Sequence, residues 1–489
     1  MKRSQLFPVC SAWITRHRAV LGLVSAIAWG GAIALQHSMQ PSYAQTPALR
    51  GELAFTLEGL GGAEMLSVSR DGQYAAVAGG DSLTLVRIGS DTLDIVATQT
   101  LAAEYLPNGS TAAEFTGLAI SPDGAYVLVA VKDNDDANLA TFDEVPGKVV
   151  AYSLPDLQPI GQVAVGRGPD SVAIAPNGQF AAIANEDEEN EEDLTNLENR
   201  PGSISVIDLR NGPGRMTQVE VAIPADNIPF FAHDPQPETV RISADSRTIF
   251  ATLQENNAIA RIDLPARLPR RPNPAVFRVQ NFDAGIRTNV GLTQDRVGEG
   301  ACRSSAYTPS LMQEFTSARE PDGLAIAANG RYLITADEDN LTAVNNQAVD
   351  GKALSPHGTR TISVFDAQTG ELLGDSGSSI EEAVIAAGLP MRCNAKGPEP
   401  EVVSVGEVNG RTLAFVALER ADAISIHDVT DPANIQLVDL VVLNPNVVKS
   451  DRAAELEPEG IEFVFARNQV VVSNPEGGSM SLINLVAGE

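Results

Sequence analysis

One short layout recurs seven times along the chain and constrains its fold more than any other feature. In its clearest form, EPDGLAIAANGRYLITADEDN from Glu320 to Asn340, a Pro-acid dipeptide precedes an apolar run, a tight turn follows, and a second apolar run ends in an acidic cluster. The same order appears in GPDSVAIAPNGQFAAIANEDEEN from Gly168, QPETVRISADSRTIFATLQENNA from Gln236, GPEPEVVSVGEVNGRTLAFVALER from Gly397 and EPEGIEFVFARNQVVVSNPEGG from Glu457. Two looser copies come first, AEMLSVSRDGQYAAVAGGDS from Ala63 and EFTGLAISPDGAYVLVAVKDND from Glu114. Internal repeats spaced roughly 50 to 85 residues apart point to a propeller or solenoid.

Within a copy, runs such as Val172–Ala175 and Phe180–Ala184 are nearly continuous in apolar residues, as expected of strands buried on both faces. Pro176-Asn177-Gly178 between them has the chemistry of a hairpin turn. A third strand follows in most copies, for example Gly202–Leu209, Ala258–Leu264, Thr361–Asp366, Ala423–Val429 and Ser479–Leu485, and a fourth is visible after some, as in Leu157–Val165. Four antiparallel strands per unit describe a propeller blade. The clearest helical window is Ser379–Ala387. The last copy lacks a fourth strand, and Gly51–Glu58 ahead of the first copy can supply it, closing the ring and removing its exposed edges. The chain therefore reads as all-β, a seven-bladed β-propeller over residues 46–489, with insertions at about 265–319 and 374–396.

Residues 1–44 read as a signal peptide. Lys2, Arg3, Arg16 and Arg18 form a basic region, Ala19–Leu35 an apolar one, and Ser42-Tyr43-Ala44 a small-residue cleavage site. Periplasmic or secreted localisation follows, with no stable membrane span after cleavage; an uncleaved anchor is the alternative, since the apolar region is near the minimum length for a span. The formal charge is −29, and removal of four positive residues leaves −33. Such a charge excludes nucleic acid as a partner and suits cation binding. The acidic run Glu186–Asp193 reads as a solvated loop or a weak cation sponge. Beyond the signal only Cys302 and Cys393 remain, which an oxidising compartment would join as a disulfide stapling the insertions, unless they are separate free thiols.

Blade geometry places the start of the innermost strand and the end of the second on one face of the disc. The acids after proline, Asp170, Glu238, Asp322, Glu399, Glu401 and Glu459, should therefore converge with those ending the second strands, Glu186, Glu255, Glu338 and Glu419, with Asp337 and Glu476 alongside. Like charges this close are costly unless protonated, solvated or bridged by a cation. Ca2+ takes six to eight oxygens from carboxylates, amides and backbone, so these ten residues are the candidate metal ligands. Alternatively the acids lock blades together through backbone N–H groups or through Arg167, Arg241, Arg261, Arg319, Arg360 and Arg420.

Glu114–Leu209 resembles the YVTN-type propeller repeat, and a wider resemblance is to the choice-of-anchor I family of exported propellers, similar in turn to the mesenchyme-specific cell-surface glycoprotein and to esterase-like phytases. The stretches that carry it are LQENNAIARIDL from Leu253, EPDGLAIAANGRYLITADEDN, RTISVFDAQTGELLGDSG from Arg360, KGPEPEVVSVGEVNGRTLAFVALER from Lys396 and VTDPANIQLVDLV from Val429. The chain departs from the family pattern with Val402 where glycine is usual and with Asp337-Glu338-Asp339-Asn340 in place of Asn-Glu-Gly-Asp. The resemblance implies export and an alkaline-phosphatase or phytase-like activity in some members, without a defined catalytic set.

Other catalytic signals are weak. Gly374-Asp375-Ser376-Gly377 copies a serine-protease tetrapeptide without a histidine partner motif, and His233, His357 and His427 are too scattered for a zinc site. Two readings remain. One is a binding scaffold whose acidic rim, with Ca2+ as its candidate ion, takes a small ligand, peptide or glycan; the other is a Ca2+-dependent phosphoesterase completed by Arg319, Arg392 or Lys396.

Overall fold

Alternation of small apolar side chains along Phe180–Asn185 shows why these strands form and where they go. Ala181 and Ile183 pack toward the preceding blade, while Ala182 and Ala184 pack toward the following one, so both faces are buried. The computed structural model describes residues 49–134, 145–186, 200–268, 273–289, 293–294, 310–311, 315–338, 348–349, 352–354, 358–389, 397–444 and 456–488. Residues 1–44, Cys302 and Cys393 lie outside them, so the signal peptide and the disulfide stay expectations.

Seven four-stranded antiparallel sheets follow one another as blades. Their innermost strands are Met65–Val68, Ala113–Ile120, Pro169–Ile174, Val240–Ile242, Pro321–Ala327, Pro400–Val408 and Gly460–Val464. Each lies against the innermost strands before and after it, and the seventh lies against the first, so they surround a central bore. Each interface between consecutive blades has its own apolar cluster; between blades six and seven, for example, Phe415, Ile426, Val470 and Ile483 meet.

The expected closing strand is present. Leu49–Glu58 pairs antiparallel with Ser479–Ala487 and becomes the outermost strand of blade seven. The helix Ser379–Ala387 also forms where expected, ending at Gly388 in the left-handed conformation (φ 68°) and burying Ile380 and Val384 against blades five and six.

Two boundaries differ from the sequence reading. Arg278–Asp283, within the stretch counted as an insertion, is the outermost strand of blade four, and Leu372–Asp375 runs into the second insertion as the outermost strand of blade five. Outermost strands carry one exposed face, and several are bulged, which blunts the edge against pairing with other chains. Both features weaken the apolar pattern by which a strand is recognised.

Candidate functional site

Four of the seven innermost strands enter the rim through one backbone device written in the repeat. Gly168, Glu320, Glu399 and Glu457 stand just before the proline with φ of 45°, 53°, 57° and 49°. Glycine tolerates this conformation; the three glutamates are held in it at some cost. The turn aims the carbonyls of Gly168, Glu320 and Glu399 at the N–H groups of Glu186, Glu338 and Glu419, at 2.8, 3.2 and 3.0 Å. One backbone hydrogen bond thus ties each of these three rim entries to the acid that ends the second strand.

The residue after the proline then lies in a bulge: the ladder shifts between Pro169 and Val172, Pro321 and Leu324, and Pro400 and Val403. Bulges re-aim side chains, and here they carry Asp170, Asp322 and Glu401. Glu238 and Glu459 occupy the matching positions in blades four and seven, where their N–H groups bond Thr252 O and Ser473 O at 3.0 and 3.3 Å.

Close blade approach brings the acids together. A Cβ on Gly117 would stand 2.0 Å from the Asp170 carbonyl oxygen, and one on Gly323 2.4 Å from that of Glu401, so only glycine admits the next blade at this distance. Hydroxyls fasten the same contacts elsewhere: Thr252 Oγ1 donates to Asp322 O (2.6 Å) and Ser473 Oγ to Glu64 O (2.7 Å).

Glu64 was missed as a candidate in the sequence. It holds the ring position in blade one, and the signal was its identical offset in AEMLSVS, where alanine replaces proline. Blade two has Thr116 there. Six blades therefore offer a carboxyl to one ring around the bore.

The electrostatics follow from crowding. Burial pushes Glu64 up to about 8, reinforced by Glu459, Asp170 and Glu114 and relieved by Lys132. Burial and the charges of Glu186, Asp170, Asp322 and Glu255 raise Glu238 well above the usual carboxylate range; burial with Glu338, Asp322, Glu399 and Glu459 does the same for Glu401. Glu459 is held at about 7, chiefly by burial and Glu457. Blades three and seven are not neighbours, so the influence of Asp170 on Glu459 crosses the bore.

The ten candidates do not share one role. Glu399 and Glu419 are gripped by Arg420, which also donates to Glu457 of the next blade at 2.6 Å; this is the blade-locking role. Asp322, Glu338 and Glu401 present carboxylate oxygens within 4.8 Å of one another, as do Glu399, Glu401 and Glu419. Glu401 belongs to both groups, and its Oε2 makes no hydrogen bond among the described residues. Asp170, Glu186, Glu238, Glu255 and Glu459 complete the acidic surroundings.

Asp337 and several arginines are structural. Asp337 accepts hydroxyls of Thr335, Thr361 and Ser363, as Asn185 and Asn474 donate to paired serines on their third strands. Glu476 is exposed on the turn that follows the second strand of blade seven. Arg319 and Arg360 pair with Asp375 and Glu381, and Arg261 bonds the Ala367 carbonyl of the next blade. Asp375, from the protease-like tetrapeptide, is therefore an ion-pair partner. His427 is fully buried beside Ser425 Oγ at 3.0 Å, and burial lowers it to about 3, so it stays neutral.

Residues 64–268 and 344–432, well over half of the chain, match the choice-of-anchor I domain. The chain belongs to the choice-of-anchor I family. Among solved structures, this choice-of-anchor I propeller is similar in fold to the Cps50 (Swd1) β-propeller domain of Myceliophteria thermophila. That likeness has 12% identity and a TM-score of 0.51, over 89% of this chain and 100% of that one. Hydrazine synthase of Kuenenia stuttgartiensis follows, with 15% identity, a TM-score of 0.49 and coverage of 88% and 98%. No curated protein sequence matches. Among the described residues no helix is long and apolar enough to cross a membrane.

The raised carboxyls of this choice-of-anchor I rim predict a pH response. A carboxyl whose folded value exceeds its ordinary 4.5 binds more protons when folded, so its protonation supports folding at low pH. That support declines as pH climbs from about 4.5 toward 8 for Glu64. In chelator, the denaturation midpoint should therefore fall between pH 5 and 8, and Glu64→Gln should flatten the fall. An unchanged slope in the variant would remove Glu64 as its source.

Proposed function

We propose that this protein is an exported binding scaffold whose acidic rim holds a divalent cation, Ca2+ by its chemistry, with Glu401 as the central ligand. The supporting observation is the Asp322–Glu338–Glu401 cluster, whose oxygens lie within 4.8 Å of one another. Oxygens bound to one Ca2+ at about 2.4 Å can be at most about 4.8 Å apart, so the spacing suits a shared ion. A cation would also offset the burial and the added repulsion that hold Glu401 and Glu238 well above their ordinary range. Membership of the choice-of-anchor family supports a place at the cell surface or outside it, and the ion would present the rim to a small ligand, peptide or glycan.

Thermal unfolding after chelation tests the site. A ligand specific to the folded state adds about 2.7 kcal/mol at a hundredfold excess over its dissociation constant, so Ca2+ should raise the melting temperature and Glu401→Gln should abolish most of the rise. A curve indifferent to both chelator and Ca2+ would leave the acids with structural roles only. Release of phosphate from a phosphomonoester, dependent on Ca2+ and lost in Glu401→Gln, would instead assign the Ca2+-dependent phosphoesterase.

A further inference from the structure

The bore holds a second charged feature, separate from the acid ring. Three residues beyond the ring position, five blades carry alanine or serine, from Ser67 to Ser404, whereas blade four carries Arg241 and blade seven Glu462. Both are half-buried, and they attract one another electrostatically. Blades four and seven are not adjacent, so that attraction spans the bore, and among the described residues the two form no ion pair.

Each charge is only partly met by the protein. The Arg241 guanidinium, with five N–H donors, makes one hydrogen bond among the described residues, from Nη1 to Val240 O at 2.9 Å. Glu462 Oε2 accepts the Val68 N–H of blade one at 2.8 Å. Burial disfavours both charged forms. An ion pair is the simplest relief for enclosed opposite charges, and separation across the bore withholds it. At the same level Ser67 and Ser404 accept the N–H groups of Ile120 and Phe463 in the next blade, and Ala119, Ala173 and Ala325 pack into the blade interfaces, so the other five blades bring no charge there.

We propose that this level of the bore binds a small zwitterion, its carboxylate on Arg241 and its ammonium on Glu462. The guanidinium fork suits a planar carboxylate. A lone anion would meet Glu462 as well as the acidic ring on its way in, and a lone cation would meet Arg241. A zwitterion satisfies both walls and has no net charge to carry past the ring. The proposal does not depend on a cation at Glu401.

Calorimetric titration with glycine, β-alanine and 4-aminobutyrate, which step the charges apart, tests it on the full mature chain, with butyrate and n-butylamine as single-charge controls. At least one amino acid should bind saturably below about 50 mM, while both controls fail. Arg241→Gln and Glu462→Gln should each weaken that binding about tenfold or more, while the response to Ca2+ persists. Should a variant not fold, discrimination between amino acid and controls by the unmodified protein still decides. The proposal is overturned if no amino acid binds, if butyrate or butylamine binds equally well, or if binding survives both substitutions. Loss of the Ca2+ response in Glu401→Gln bears only on the rim cation.

Discussion

Deletion of residues 49–58 is expected to abolish the monomeric fold, giving aggregates on size-exclusion chromatography and a loss of cooperative melting. The segment pairs with Ser479–Ala487 along nearly its whole length, interrupted by one bulge between Leu53 and Phe55. Its removal takes away a row of ladder bonds, each worth about 1 kcal/mol net, and the burial of Leu49. Together these rival the 5–15 kcal/mol or so that stabilises a typical domain. It also uncovers a nine-residue strand edge, SMSLINLVA, rich in the β-branched and apolar residues that favour pairing between chains. Supplying the peptide LRGELAFTLE in trans should recover monomer, because it restores the missing edge. A truncated protein that stays monomeric with an unchanged melting curve would show that the ring closes without this strand.

Arg420→Met should be the most damaging single substitution on the rim, costing about 3–5 kcal/mol, the range for breaking a buried ion pair and stranding its partners. Arg420 is 9% exposed and neutralises Glu399 and Glu419 of its own blade and Glu457 of the next. Methionine keeps the length of the side chain and removes the charge. Glu399, Glu419 and Glu457 then lose the guanidinium that they share, so the deficit should appear at both pH 5 and pH 8. Denaturant midpoints at pH 5 and 8 measure this. If Ca2+ binds between Glu399, Glu401 and Glu419, it should restore part of the loss at pH 8. Equal stability of variant and parent at both pH values would deny Arg420 its clamping role.

These effects separate what is local in the chain from what is not. The strand pair and its tight turn, together with the Pro-acid entry in five copies, are written within about twenty residues each, by apolar runs and turn chemistry. Their sevenfold recurrence determined the blades, the need for a closing strand at Gly51–Glu58, and the shared face of Asp170, Glu238, Asp322, Glu401 and Glu459. Glu64 was legible by the same offset but lacked the proline that marked the others.

Which of those acids meet is another matter. Glu399 differs from Glu401 by two positions in one segment, yet the first is gripped by Arg420 while the second joins Asp322 and Glu338 of blade five. The attraction between Arg241 and Glu462 depends likewise on blades remote in sequence lying on opposite sides of one bore. The repeated blade and the face to which its acids belong are written locally, because hydrophobic period and turn residues act over a few positions. The partners of each charge are not, because distances around and across the bore are set by all seven blade interfaces and by the strand that closes them.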